Sequence, residues 1–169
     1  MMRLVEPEIP GLRRYARALL RDPSQADDLV QDCLERAVSR WSQRRDEGSV
    51  RAWLFTILHN LAVNRLQQRR RRGPQVPLEA VAESALSEPA GQEAAVVQAD
   101  VLKSLARLPE DQRSVLLLVS VEDLSYTDTA KALGVPVGTV MSRLSRARER
   151  LRLELAGRAP AAAHLRRVK

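Results

Sequence analysis

The chain has 169 residues, 44% of them hydrophobic but only 3% aromatic, and carries a net charge of +7 at pH 7. That length bounds it to one or two small domains, whose cores Leu, Val and Ala must fill. The basic balance favours a polyanionic partner such as nucleic acid or an acidic protein surface; a single cysteine, Cys33, excludes an internal disulfide framework, and no stretch approaches the ~18 apolar residues of a membrane span.

The opening MMRLVEPEIP lacks an apolar signal core, so the chain is expected to be cytoplasmic and not to insert into a membrane. Ile9, Leu12, Ala16 and Leu19 then follow helical spacing. RDP (21–23) breaks that helix, and Asp22 or Ser24 can cap a second one, on which Ala26, Val30, Cys33, Ala37 and Trp41 share an apolar face. Opposite it, Asp28, Gln31, Asp32 and Glu35 line an outward acidic face. After the polar loop QRRDEGS (43–49), a third helix from about Val50 to Arg72 buries Leu54, Ile57, Leu58 and Leu61. Trp53, Thr56, Asn60, Asn64 and Gln67 fall on a common side, beside that apolar face. Asparagines offer both donor and acceptor to exposed bases, an aromatic can stack on them, and the run Arg69–Arg72 can grip a phosphate backbone. Each feature also has a plain reading: an acidic face is often only solvated, and Trp53 can simply close the core.

Residues 73–100 hold five acids and no basic residue, with three Pro and two Gly, and 73–96 read as a linker between two basic halves. Beyond it, a helix runs from about Gln92 to Arg107, and Pro109 suits the first turn of the next, through Val119. Ser125 with Asp128 makes a capping box for a short helix that Gly134 can end. The stretch GVPVGTVMSRLSRARERLR (134–152) carries five arginines and one acid, Glu149. Ala130, Gly134 and Val140 have the spacing of a helix-turn-helix. Val140, Leu144, Ala147 and Leu151 form one packed stripe, while Thr139, Ser142, Ser145 and Arg146 point away from it. Arg143 and Arg150 lie on one flank, Arg148 and Arg152 on the other. Hydroxyls and one guanidinium can meet base edges while the flanking arginines hold phosphates, so DNA recognition is favoured over an ordinary solvated helix. No run alternates as a strand would, and the fold class is all-α.

The segments ADDLVQDCLERA (26–37), RAWLFTILHNLAVNRLQQRRRR (51–72) and LPEDQRSVLLLVSVEDLSYTDTAKALGVPVGTVMSRLSRARERLR (108–152) resemble regions 2.2, 2.3–2.4 and 4 of group IV (extracytoplasmic function, ECF) sigma factors of bacterial RNA polymerase. The wording of the last particularly resembles the alphaproteobacterial general-stress group. The resemblance covers nearly the whole chain and implies two small helical domains, region 2 (1–72) and region 4 (97–156), joined by the linker 73–96 and followed by a basic tail (157–169). It implies an alternative sigma factor of a stress response, with core RNA polymerase (β′ clamp and β flap), promoter DNA and an anti-sigma factor as partners.

Asp28 and Gln31 match positions that dock the clamp helices, with Asp32 and Glu35 on the same face. Asn60 and Asn64 match positions that contact the melted −10 element, supported by Trp53 and followed by Arg69 and Arg70. Ser142 and Arg146 match positions at the −35 element, among Thr139, Arg143, Ser145 and Arg148. Many members have Lys or Arg where this chain has Met141, and the resemblance implies that the Arg45–Ser49 loop captures an unstacked −10 base. No catalytic group, cofactor or metal site is expected: Cys33 reads as a small hydrophobe, His59 as a surface histidine, and His164 is remote in sequence. A stand-alone helix-turn-helix regulator and a sigma-like decoy for an anti-sigma factor are the other readings. In an inhibited state the halves are expected to close on one another or around an anti-sigma protein, masking the Asp28 face.

Overall fold

Short polar signals at the chain breaks set the helices. A computed structural model describes residues 1–44, 49–72 and 101–156. The expected linker (73–96), the tail (157–169), all but Ser49 of the loop expected to capture a base and the first residues of the helix expected from Gln92 lie outside the described residues. A single turn, α1 (Met2–Val5), and a 3-10 turn (Glu6–Glu8) lead into α2 (Ile9–Leu20). Arg21 ends α2 in the left-handed region at φ 58°, and the carboxylate of Asp22 then accepts the Gln25 N–H at 3.0 Å. Pro23, with no N–H to leave unpaired, opens α3 (Pro23–Ser39). Of the two expected caps, Asp22 serves. The next long helix, α4, spans Val50–Arg72, and residues 101–107 form α5.

Pro109 differs from expectation. It stands before α6 (Glu110–Ser120), with ψ 145° extended, so the helix begins after it. Ser125 caps α7 (Tyr126–Leu133): its hydroxyl accepts the Asp128 N–H at 3.0 Å and donates to the Asp128 carboxylate at 2.8 Å. Gly134 ends α7 at φ 65°, a conformation that costs glycine nothing, and α8 (Val137–Ala156) follows. The described residues contain helices and no strand.

The expected apolar faces are largely those that pack. Leu12, Ala16, Leu19, Ala26, Val30, Cys33, Ala37, Leu54, Leu58 and Leu61 are buried, joined by Tyr15, Leu29, Phe55 and Ala62. Ile9, Ile57 and Leu151 are only half-buried. Trp41 lies past the end of α3 and meets Trp53 edge to face at 5.9 Å. The second half packs on α2 and α4: Leu117, Leu118, Leu124 and Ala132 enter the same apolar cluster as the first helices. A second cluster, with Val115, Leu116, Val140, Leu144 and Ala147, holds α8 to α6.

A polar clasp accompanies this shared core. Glu122, in the turn before α7, is 1% exposed and lies between two guanidinium groups of the first half. Arg14 donates to both of its carboxylate oxygens, at 3.1 and 2.9 Å. Arg51 donates to Oε2 at 2.9 Å and to the Glu122 carbonyl at 2.9 and 3.1 Å, and pairs with Glu8 on its other side. Gly11 makes room: a Cβ there would stand 2.5 Å from Glu122 Oε2. Arg113 adds a second tie, donating to the Leu19 carbonyl at the end of α2 (3.3 Å) and to Ala106 (3.4 Å). Burial pushes its guanidinium below the usual arginine range.

The clasp can be tested without removing a charge. In Gly11→Ala the new methyl must displace the carboxylate from Arg14, at a cost of about 1–2 kcal/mol to the contact between the halves. The expected outcome is a larger radius of gyration in solution scattering with unchanged helicity by circular dichroism. Arg14→Ala with Arg51→Ala, which leaves the acid unpaired, should open the halves further. Radii identical to wild type in both variants would refute the clasp.

Candidate nucleic-acid interface

Three elements hold α8 in place. Ala130 lets α7 approach it, the Val135 N–H reaches back to the Ala130 carbonyl at 3.0 Å, and the Pro136 carbonyl accepts from Thr139 and Val140. With Val140, Leu144 and Ala147 packed, Ser142, Ser145 and Arg146 come together on the exposed side. Arg146 has no ion pair among the described residues, and the Ser142 hydroxyl donates only to the Thr139 carbonyl of its own helix. The other expected contacts are partly committed. Thr139 is half-buried, Arg143 pairs with Asp111 of α6 at 3.2 Å, and Arg148 donates to Ser120 at 3.4 Å. Arg152 neutralises Glu149, the acid in the middle of this surface, at 2.9 Å.

On α4, Asn60 and Asn64 are exposed on successive turns. Trp53 is half-buried against Trp41, and the Thr56 hydroxyl is spent on the Ala52 carbonyl at 2.8 Å. Arg69 is exposed, whereas Arg70 reaches across to Glu110 of α6 at 2.8 Å. On α3, Asp28, Gln31 and Glu35 are exposed, with Gln31 donating to Glu35 at 3.1 Å. Asp32 is held by Arg65, which also donates to the Gln25 carbonyl. The halves thus close without masking the Asp28 face, because α6 and α7 pack on α2 and α4 instead.

His59 also corrects the sequence reading, which placed it on the surface. It is half-buried, its Nδ1 2.9 Å from the Tyr15 hydroxyl, and it lines a cavity of about 370 Å³ between the halves with Arg70, Glu110, Asp111, Ser114 and Arg143. Burial pushes the imidazole down to about 4 and the Tyr15 phenol above its ordinary value. Sequence reasoning missed Arg65, Arg113 and Glu122 as well. Each takes a partner far along the chain, which no local spacing marks.

The described residues contain no group of three His, Cys, Asp or Glu that could hold a metal ion, and no helix long and apolar enough to cross a membrane. Residues 5–59 match the family model described as the Sigma2 domain of PhyR, and residues 98–151 the one described as sigma-70, region 4. The chain is 38% identical over 143 residues to the ECF RNA polymerase sigma factor EcfG of Rhodopseudomonas palustris, covering 85% of this chain and 78% of that protein. It is 40% identical over 149 residues to the RNA polymerase sigma-E factor of Streptomyces coelicolor, covering 88% and 81%. Among solved structures, the sigma factor RpoE in complex with the anti-sigma factor NepR from Bartonella quintana superposes with a TM-score of 0.75 at 32% identity. The match covers 90% of this chain and 94% of that one.

The buried imidazole makes stability depend on pH with a definite sign. The unfolded chain takes up the His59 proton near pH 6.5, the folded chain only near 4. Its contribution is therefore complete above about 6.5 and is lost as pH falls toward 4, by up to about 3 kcal/mol. Denaturant titrations across that window should show the decline, and His59→Gln should flatten it. An equal slope in the variant would return His59 to solvent.

Proposed function

The chain belongs to the extracytoplasmic function (ECF) family of RNA polymerase sigma factors, and from that premise we propose how its surfaces divide the work of initiation. It is an alternative sigma factor, which binds core polymerase and directs promoter recognition and opening. The acidic face of α3 docks the clamp helices of the β′ subunit through Asp28, Gln31 and Glu35, with Asp32 held in place by Arg65. On α4, Asn60 and Asn64 meet bases of the −10 element once they leave the stack, and Arg69 holds the backbone beside them. Ser142, Ser145 and Arg146 of α8 read the −35 duplex, with Arg148 on a phosphate, and the β flap supports this half. Bond-making chemistry belongs to the polymerase, and the chain works in the cytoplasm.

One observation supports this division above the others. Asn60 and Asn64 of α4, Ser142, Ser145 and Arg146 of α8, and Asp28 and Glu35 of α3 are exposed, while each helix keeps its apolar face in a core. Arg70, paired with Glu110 across the halves, becomes available to DNA when the halves part to span two promoter elements. RpoE of Bartonella quintana is held by an anti-sigma protein, and a comparable inhibitor is the regulatory partner expected here.

Two variants test the assignment. Asp28→Arg with Gln31→Ala should weaken stoichiometric binding to purified core polymerase roughly tenfold or more, since attraction becomes repulsion, with normal circular dichroism. Wild-type protein that fails to bind core would leave only a stand-alone regulator or a decoy. Asn60→Ala with Asn64→Ala should keep duplex binding and core binding but lower permanganate reactivity of the melted strand. Normal opening by that variant would remove the asparagines from the −10 site.

A further inference from the structure

The recognition helix carries apolar side chains that its packing does not use. Beyond the buried stripe, Met141 is 53% exposed and Val137, one turn earlier, 39% exposed. Tyr126 at the start of α7 is 39% exposed, and with Met141, Ser145, Arg148 and Arg152 it lines a shallow groove along the flank of α8. Solvent gains nothing from such a cluster, and hydrogen bonding cannot explain it. Its position is informative. Met141 directly precedes Ser142 and lies one helical turn before Ser145, in the N-terminal half of the helix, where base edges come closest. Arg148 and Arg152 line this groove beside the acid Glu149, which Arg152 pairs, so its net charge is positive and suits it to a duplex rather than to an apolar protein.

In the major groove one base substituent is apolar, the 5-methyl of thymine. We infer that Met141, with Val137 behind it, reads a thymine methyl in the −35 duplex, making Met141 a specificity-determining residue of this chain. A long unbranched thioether can follow the groove floor and close over a methyl without a fixed donor geometry. Discrimination at that position then comes from excluded water, while Ser142 and Arg146 supply the hydrogen bonds beside it. This inference rests on the sigma reading above, and the experiment separates the failure of one from the failure of the other.

The holoenzyme, full chain plus core polymerase, is used to select −35 sequences from a randomised promoter library. Each thymine of the selected element is then replaced by deoxyuridine, which removes the methyl and keeps every hydrogen-bonding group. At one thymine the replacement is expected to weaken wild-type binding roughly three- to tenfold. Met141→Ala should show the same loss on the thymine duplex and no further loss on the deoxyuridine one, while binding core normally. A selected element without thymine, indifference of the wild type to every deoxyuridine, or undiminished sensitivity in Met141→Ala would each overturn the inference. Weakened core binding by Met141→Ala with no methyl effect would assign the patch to the polymerase instead. Absence of any promoter selection by the wild type would overturn the sigma reading itself, and the methyl contact with it.

Discussion

A carboxylate withdrawn from water between two arginines governs how the rest of this molecule is arranged. Glu122 belongs to the second half and Arg14 and Arg51 to the first, more than a hundred residues away for Arg14. The acid is almost wholly buried while both guanidinium groups keep contact with solvent, so the cost of breaking the set is unequal. An arginine that loses the acid finds water at once. The acid that loses its arginines finds water only if the halves separate. Such a clasp ties closure to one compact group of charges, with the apolar contacts of Leu117, Leu118 and Leu124 closing around it. The core supplies adhesion, and the clasp supplies register.

Closure of this kind leaves outside the surfaces proposed to bind polymerase and DNA. The second half lies on α2 and α4, so α3 keeps Asp28 and Glu35 exposed and α4 keeps Asn60 and Asn64 exposed. The same holds in α8, where a narrow stripe of Val140, Leu144 and Ala147 meets α6 and α7 and leaves Ser142, Ser145, Arg146 and Arg150 exposed. The halves do share some charges. Arg70 and Glu110 pair directly at the cavity that His59 lines, so one of the arginines proposed to hold DNA is neutralised while the molecule is closed.

Helices and caps were legible in the sequence because their causes are local. Arg21–Asp22–Pro23 both ends one helix and begins another, Ser125 finds Asp128 three residues on, and Gly134 adopts a backbone that other residues avoid. The exposed face of α8 was legible for the same reason: once the apolar stripe is placed, the opposite face follows. What escaped the reading depends on distant partners. Glu122 in VEDL resembles any surface acid until Arg14 and Arg51 are beside it, and Gly11 resembles any helix glycine until the carboxylate lies over it. Likewise, the α4 pattern puts His59 next to an exposed asparagine, and only Tyr15 and the second half withdraw it from water. Pro109 was misplaced by one residue, since proline suits both the cap and the first turn and only the backbone angles separate the two.

The buried cysteine bears on how the factor can be controlled. Cys33 is the sole thiol of the chain; it is fully packed in the core of the first half, its sulfur 3.5 Å from the Leu54 carbonyl, and burial pushes its acidity down to a pKa of about 12. Fully buried, the sulfur is out of reach of peroxide or a disulfide in solution, and burial disfavours the thiolate they attack. Oxidants therefore have no sulfhydryl handle on this protein. A redox signal that reached it through thiol chemistry would have to be sensed by another molecule and delivered by binding.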